Sequence, residues 1–274
     1  MSGVAGYTRI ATQAGHSERD NEDFAGVTEF TAVVVDGAGK PPGTATGCGH
    51  GVAWFSHTLG AAFIDRLSDP SSPMTQALAD AIDHVAGRHG SSCDLAHPDT
   101  PSATVTAVRE RDDHLEWLVL ADSPLIIDLD GGQRVVYDDR LDRVHARHPG
   151  EPYGTYRNRD GGFWVASVDP RAADQALTGR VSRSQVRAVA LLTDGASRPA
   201  DRFGLLAWSE LLEVVATHGP DELIRRVRSA EGCDPHGRRW PRTKAHDDAT
   251  VVYRRYGARP PAQPVSGRAA DQAT

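Results

Sequence analysis

Cysteine is scarce in this chain and scattered: Cys48, Cys93 and Cys233 are the three in 274 residues. So few thiols, so far apart, give neither a disulfide framework nor the C-x-x-C spacing of a zinc site. The expectation is reduced thiols without a metal or redox role. Long apolar runs are missing too. No stretch approaches the ~18 consecutive apolar residues of a membrane span. The opening Met1-Ser2-Gly3-Val4-Ala5-Gly6-Tyr7 has neither the basic start nor the apolar centre of a secretory signal. A cytoplasmic protein without a membrane partner is therefore expected. Basic charge is in deficit, 30 Lys and Arg against 37 Asp and Glu, for a formal net charge of −7; that argues against nucleic acid as a partner.

Several familiar motifs are absent as well. The 12 histidines form no H-E-x-x-H or other compact ligand set, so surface or packing roles are expected of them. His246, adjacent to Asp247, is the exception and could assist protonation of a leaving group. The glycine-rich run Gly43 to Gly51 lacks the Lys-Ser/Thr ending of a P-loop and the G-x-G-x-x-G spacing of a dinucleotide site. Ser123 and Ser197 have no Ser-His-Asp context. No internal repeat is present.

What remains is ordinary soluble-protein material, 39% hydrophobic and 24% charged. Tyr7–Thr12 and Phe30–Val35 are dense in β-branched and aromatic residues, and the second, apolar on both faces, reads as a buried central strand. Val52, Phe55, Leu59, Phe63 and Leu67 recur at helical spacing between Gly51 and Leu67, and Met74–Ala86 reads as a second helix. Strands are expected at Ala103–Glu110 and His114–Ala121, with a hairpin formed by Leu125–Leu129 and Arg134–Tyr137. Arg140–Asp160 reads as an exposed loop or flap, and Phe163–Val168 as a further strand. Val186–Leu192 is another apolar strand. Helices follow at Leu205–Ala216 and Pro220–Glu231, where Arg225, Arg226 and Arg228 form a solvated face, before a final strand at Ala249–Tyr253. The Pro-, Gly- and Ala-rich end reads as disordered, giving one domain over 1–256 and a tail over 257–274. Runs of strands joined by short turns, with helices grouped apart, imply two antiparallel sheets face to face and helices on the flanks.

Acidic residues cluster at the ends of these strands. Asp36-Gly37 and Asp194-Gly195 each follow an apolar strand, Ala121-Asp122-Ser123 follows a third, and His246-Asp247-Asp248-Ala249-Thr250 precedes a fourth. Asn21-Glu22-Asp23 lies between the first two. A single Asp-Gly is ordinarily a turn, as Asp130-Gly131 is. Matched instances at the same ends of neighbouring strands bring carboxylates together. Two unit charges ~4 Å apart repel by about 4 kcal/mol at an effective dielectric of ~20. Hard divalent cations, which prefer oxygen ligands, remove that repulsion.

The ordered set Asn21-Glu22-Asp23, Val34-Val35-Asp36-Gly37-Ala38-Gly39, Ser102-Ala103-Thr104, Ala121-Asp122-Ser123, Leu191-Leu192-Thr193-Asp194-Gly195 and Asp247-Asp248-Ala249-Thr250 resembles the PP2C (PPM) metal-dependent protein serine/threonine phosphatases of bacterial type. The resemblance spans nearly all of the chain except the tail. It implies an α+β fold, a four-layer α/β/β/α sandwich of two antiparallel sheets flanked by helices, with two Mn²⁺ or Mg²⁺ ions in a cleft between the sheets. It implies hydrolysis of phosphoserine or phosphothreonine in proteins by a water bridging the two cations, with no protein nucleophile, in a monomeric bacterial signalling enzyme. Asp36 resembles the carboxylate that bridges both ions, and the Gly37 carbonyl a ligand of one. Asp194 and Asp247 resemble ligands of the other ion. Glu22 and Asp23 would hold the second ion directly or through its waters, and Asp122 resembles the aspartate of a third, weaker site.

The chain departs from the family pattern in places. The phosphate-binding arginine of bacterial members commonly sits three residues before the Asn of the Asn-Glu-Asp step. Here that position is Glu18, and Arg19 is its neighbour; Arg19, or an arginine of the flap, is the candidate phosphate clamp. Arg198 stands four residues after Asp194, where another acidic residue is frequent, so the third site is expected to be weak or absent. Pro124 stiffens the turn after Asp122, and Asp248 stands where Asn is frequent. Two alternatives stay open: a small phosphorylated metabolite as substrate, or a catalytically weak PP2C-like binding or regulatory protein.

Overall fold

The strand Thr31–Ala38 is buried almost throughout because its alternate residues enter two different cores. Val33 and Val35 pack against helices, whereas Ala32 and Val34 face a second sheet. Burial on both faces is what an apolar run without polar alternation requires. The computed structural model describes residues 6–39 and 44–257. In chain order its elements are β1 (Tyr7–Gln13), β2 (Asp23–Val27), β3 (Thr31–Ala38), α1 (Val52–Leu67), α2 (Met74–Arg88), β4 (Ser102–Glu110), β5 (His114–Leu120), β6 (Leu125–Leu129), β7 (Gly132–Val136), α3 (Arg140–Arg147), β8 (Leu177–Ser182), β9 (Val186–Leu192), α4 (Asp194–Asp201), α5 (Trp208–His218), α6 (Pro220–Cys233) and β10 (Ala249–Arg255).

The strands form two five-stranded sheets, ordered β1-β10-β9-β6-β7 and β2-β3-β4-β5-β8, and every neighbouring pair is antiparallel. Ala32, Val34, Val108, Val119, Leu125, Ile127, Val189, Leu191 and Val252 fill the space between them. On the outer face of the second sheet lie α1 and α2, joined to it through Phe55, Leu59, Phe63, Leu78 and Ile82. On the outer face of the first lie α4, α5 and α6, through Ala196, Leu211, Val215, Leu223 and Ile224. The fold is the expected four-layer α/β/β/α sandwich. No helix among the described residues is long and apolar enough to cross a membrane.

Two local expectations need correction. Arg140–Arg147 is helical rather than part of a loop; Val144 is its one buried residue, too little apolar signal to read as a period. Phe163–Val168 forms no strand: Ala166 only exchanges backbone hydrogen bonds with Ala103, at 2.8 and 2.9 Å. Two further elements have no counterpart among the expected ones. Leu177–Ser182 is a strand at a sheet edge, largely exposed and so without the apolar run that marks the inner strands. Asp194-Gly195 opens the helix α4. The disordered tail expected over 257–274 lies, from 258 onward, outside the described residues.

One buried cation closes the end of the sandwich where β2 turns into β3. Arg254 on β10, 5% exposed, donates to the carbonyls of Thr28, Glu29 and Thr31 and to the Thr8 hydroxyl. It thereby ties the first sheet to the β2–β3 turn of the second. A buried acceptor left without a donor costs ~1–3 kcal/mol. Arg254→Met should therefore lower the unfolding free energy by about 2–4 kcal/mol, measured by urea denaturation. A loss below the error of the extrapolation would show that this end is held by apolar packing alone.

Candidate metal centre

At the opposite end of the sandwich, the inter-sheet core gives way to hydroxyl groups. The alternation that points Ala32 and Val34 inward on β3 also points Asp36 inward. Across the ladders Asp36 stands opposite Asp23 on one side and Thr104 on the other, and directly opposed side chains share a face. The same alternation carries Thr106 on β4, Thr193 after β9 and Thr250 on β10 toward the middle. These hydroxyls are tied together. Thr104 Oγ1 lies 2.5 Å from Ser123 Oγ and Thr12 Oγ1 lies 2.7 Å from Thr250 Oγ1, while the Thr250 N–H donates to Thr193 Oγ1 at 2.9 Å. Carboxylates sit on this polar layer.

The acidic motifs meet there. The Thr193 hydroxyl donates to Asp23 Oδ2 at 3.0 Å, and the Asp194 N–H, at the start of α4, donates to Asp36 Oδ2 at 3.3 Å. Asp248 accepts from the N–H groups of Gly15 and Glu22 at 2.7 and 2.6 Å, which pins the β1–β2 loop against the start of β10. The Asp-Gly steps have a packing reason. A Cβ on Gly195 would sit 1.9 Å from the Asp248 carbonyl oxygen, and one on Gly37 would sit 2.6 Å from the Glu22 carbonyl oxygen. Only glycine lets the segments bearing Asp194 and Asp36 approach their acidic neighbours so closely.

Crowding raises the affinity of these groups for protons. Burial, then repulsion from Asp23, Asp194 and Asp247, holds the Asp36 carboxyl well above its usual range, with Lys244 opposing. Asp23 is raised well above its own chiefly by burial, against which the Thr250 and Thr193 hydroxyls act. Asp194 is raised by burial and by Asp247. Glu22 is raised by burial, with Lys244 again opposing. Asp122 is pushed up to about 7 by burial and then by Asp194, which links it electrostatically to the same group. The backbone before it is strained, with Ala121 at φ 68°, a left-handed conformation that costs a Cβ-bearing residue about 1–2 kcal/mol.

The remaining expected residues are placed less simply. Asp247 is held by two cations: Lys244 Nζ is 2.6 Å from Oδ1 and Arg198 Nη2 is 2.9 Å from Oδ2. Arg198 is itself 4% exposed and bonded to Glu231, 0% exposed, at 2.5 Å. The residue that breaks the third-site pattern is thus a buried support for Asp247. Nothing in the sequence marked Lys244 as part of the group. Arg19 is exposed in the β1–β2 loop and acts on Glu22 through its charge. His246 Nδ1 is 2.8 Å from Glu231 Oε2, so it joins the Arg198–Glu231 support and does not stand free beside the carboxylates.

The donor set suits hard divalent cations. It is all oxygen, the Oδ1 of Asp23 is buried without a hydrogen-bond partner, and the raised proton affinities signal negative charge that Lys244 and Arg198 leave uncompensated. A cation reaching Asp247 Oδ1 meets Lys244 there.

Comparison with known proteins gives a family and a fold. The family model described as protein phosphatase 2C matches residues 13–225. No curated protein matches the chain. Its fold is similar to the catalytic domain of the serine/threonine phosphatase PstP, solved in complex with two manganese ions, with TM-score 0.57 and 15% identity over 91% of this chain and 97% of that one. It is similar to the serine/threonine phosphatase Stp1 of Staphylococcus aureus, with TM-score 0.60 and 12% identity over 92% and 96%. It is also similar to the PPM Ser-Thr phosphatase MsPP of Mycobacterium smegmatis in complex with cacodylate, with TM-score 0.57 and 17% identity over 94% and 100%.

The raised carboxyls fix a direction for pH dependence. Unfolded, they ionise near ~4; folded and metal-free, they hold their protons to higher pH. The native state therefore binds extra protons above about pH 4, for Asp122 up to about pH 7, and stability falls as pH rises through that range, by up to ~1.4 kcal/mol per pH unit for each group. Cations compete with those protons. The rise in Tm on adding Mn²⁺ should be small at about pH 5 and several-fold larger at about pH 7.5; a pH-independent rise, read by differential scanning fluorimetry, would place the ion elsewhere.

Proposed function

The chain belongs to the protein phosphatase 2C family, and on that footing we propose that it hydrolyses phosphoserine and phosphothreonine in proteins with the aid of divalent cations, Mn²⁺ or Mg²⁺. The observation that carries this reading is the register of Asp23 opposite Asp36, with the Asp194 N–H on Asp36. In the proposal two ions would be held by Asp36, with the Gly37 carbonyl, Asp194 and Asp247 as further ligands and Glu22 and Asp23 acting directly or through waters. Bound there, they would supply charge neutralisation at the phosphoryl oxygens and an activated water. Asp122 is the proposed ligand of a third, weaker ion.

The chain's own residues have separate tasks. Arg198 and Lys244 hold Asp247 at the rim, and Asp248 holds Glu22 by its backbone. Arg19, exposed and in electrostatic reach of Glu22, is the proposed phosphate clamp. Arg140, Arg143 and Arg147, with Trp164 and Asp160, line a groove of about 570 Å³. Asp142 of α3 acts on Asp122 through its charge, which puts α3 near the same end of the sandwich. Arg140 and Arg143 are paired with Asp138 and Asp139, so the proposed use of the groove is not as a bare basic patch but as extra contact area for a phosphorylated peptide segment, which a small metabolite would not reach.

Loss of an ion removes several kcal/mol of charge stabilisation. Asp36→Asn and Asp194→Asn should therefore each lower kcat/KM for a phosphopeptide about a thousandfold or more. Arg19→Ala should raise KM about tenfold or more with little change in kcat, since a charge-assisted pair contributes ~1.5–3 kcal/mol. Wild-type kcat/KM in both aspartate variants would sink the metal-dependent reading. If the enzyme with Mn²⁺ cleaved a panel of small phosphate esters but no phosphopeptide, the protein-substrate assignment would fall while the chemistry stood.

A further inference from the structure

We propose that Cys48, His50, His89 and Cys93 form a second metal centre, a structural zinc site on the far side of Val52 from the carboxylates. The ligand atoms of these four side chains all lie within 4.8 Å of one another. Among the described residues this is the one group of His, Cys and acidic side chains that gathers so closely. Cys48 Sγ is 3.4 Å from His89 Nδ1 and 3.6 Å from His50 Nδ1, and Cys93 Sγ is 3.3 Å from His50 Nδ1. Zinc bonds of ~2.3 Å to sulfur and ~2.0–2.1 Å to nitrogen, at tetrahedral angles, require S···N edges of about 3.6 Å. These three edges, 3.3 to 3.6 Å, fall at or slightly below that length.

Cys48 Sγ meets two imidazole nitrogens and also accepts the His50 N–H at 3.3 Å, so both imidazoles are gathered around one sulfur. Binding Zn²⁺ would release both thiol protons, leave both imidazoles neutral and close a Cys₂His₂ tetrahedron without a water position, as structural sites do. Two thiolates and two imidazoles select zinc over Mn²⁺ or Mg²⁺, which prefer oxygen. The two centres therefore draw on different metals.

The site lies at the surface, with His50 exposed and Cys48 and Cys93 half-buried. His89 is 1% exposed. Trp54 on α1 stacks on the His50 ring at 4.2 Å between centroids and meets the His89 ring edge-on at 4.9 Å. The Asp94 N–H donates to the Gly47 carbonyl at 2.7 Å, joining the two ligand-bearing loops. Cys48 and His50 precede α1, while His89 caps α2 and Cys93 follows it. An ion there staples the start of α1 to the end of α2. Val52, the first residue of α1, packs over Gly37 and Gly39 at the end of β3, so the staple braces the segment beside Asp36.

The test is metal analysis of the full chain purified under reducing conditions, together with Asp36→Asn, Cys48→Ser/Cys93→Ser and the milder His50→Gln. The wild type and Asp36→Asn should each carry one zinc per chain, and cobalt in its place should give the intense visible bands of tetrahedral coordination and a thiolate charge-transfer band. The double serine variant should lose the zinc and the charge-transfer band. His50→Gln should weaken zinc binding by more than the ~10–100-fold typical of groups that merely support a ligand. Both cysteines should resist alkylation until a chelator strips the metal. A Cys48–Cys93 disulfide in the purified protein, thiols that alkylate freely beside equimolar zinc, or zinc content unchanged in the serine variant would each overturn the proposal.

Discussion

Asp23 is held opposite Asp36 by the backbone ladder between β2 and β3, and the candidate metal centre depends on that register. Two like charges would not choose to sit on one face of a sheet. The ladder keeps them there because Ala32 and Val34, four and two residues before Asp36, fill the space between the sheets. A slip of one residue would turn every one of these side chains to the other face. Because both faces of β3 are covered, the slip would leave the valines buried but turn Asp36 from the inter-sheet margin toward the helix-covered face. The energy that fixes the apolar core therefore also fixes the carboxylates, at the margin where that core gives way to hydroxyl groups.

Much of this could be read in the sequence, for definite reasons. The strand carrying Asp36 is apolar on both faces, so its central position was legible, and α1 repeats its buried residues at helical spacing. Asp194 was legible as a site candidate, but the helix it opens was not. Asp-Gly reads as a turn, but here Thr193 and the chain pairing with Thr250 start a helix that even contains Pro199. Elements with little buried surface, α3 and β8, left no pattern to follow. Lys244 and Arg198 were not legible as partners of Asp247, because no spacing rule links a residue on α4 with a loop before β10. The Cys and His cluster was hidden for a related reason. Each ligand pair is short, but the pairs belong to opposite ends of the α1–α2 hairpin, and only its closure brings them together.

The sandwich divides its chemistry between its layers. The sheets present oxygen, from carboxylates and hydroxyls, while the helical layer presents sulfur and imidazole at its own loop ends. Arg254 secures the end of the sandwich away from the carboxylates with donors that satisfy the β2–β3 turn. Polar groups are thus concentrated at the rims, and the long middle of the molecule is left to Val, Leu, Ile and Ala.

Lys244 gives the carboxylate cluster an internal competitor. Its ammonium sits on Asp247 Oδ1 and within 3.9 Å of Glu22, so a cation arriving at that oxygen must displace a group already tethered to the chain. The tether sets a local concentration of ammonium that dilution cannot lower. Apparent affinity for the incoming ion is reduced by the fraction of time the lysine is docked, and that fraction is written into the three-residue spacing between Lys244 and Asp247. With Asp247 as a ligand, as proposed, the sequence would thereby carry a set-point: below some concentration of free divalent ion the lysine would hold the oxygen, and above it the metal would.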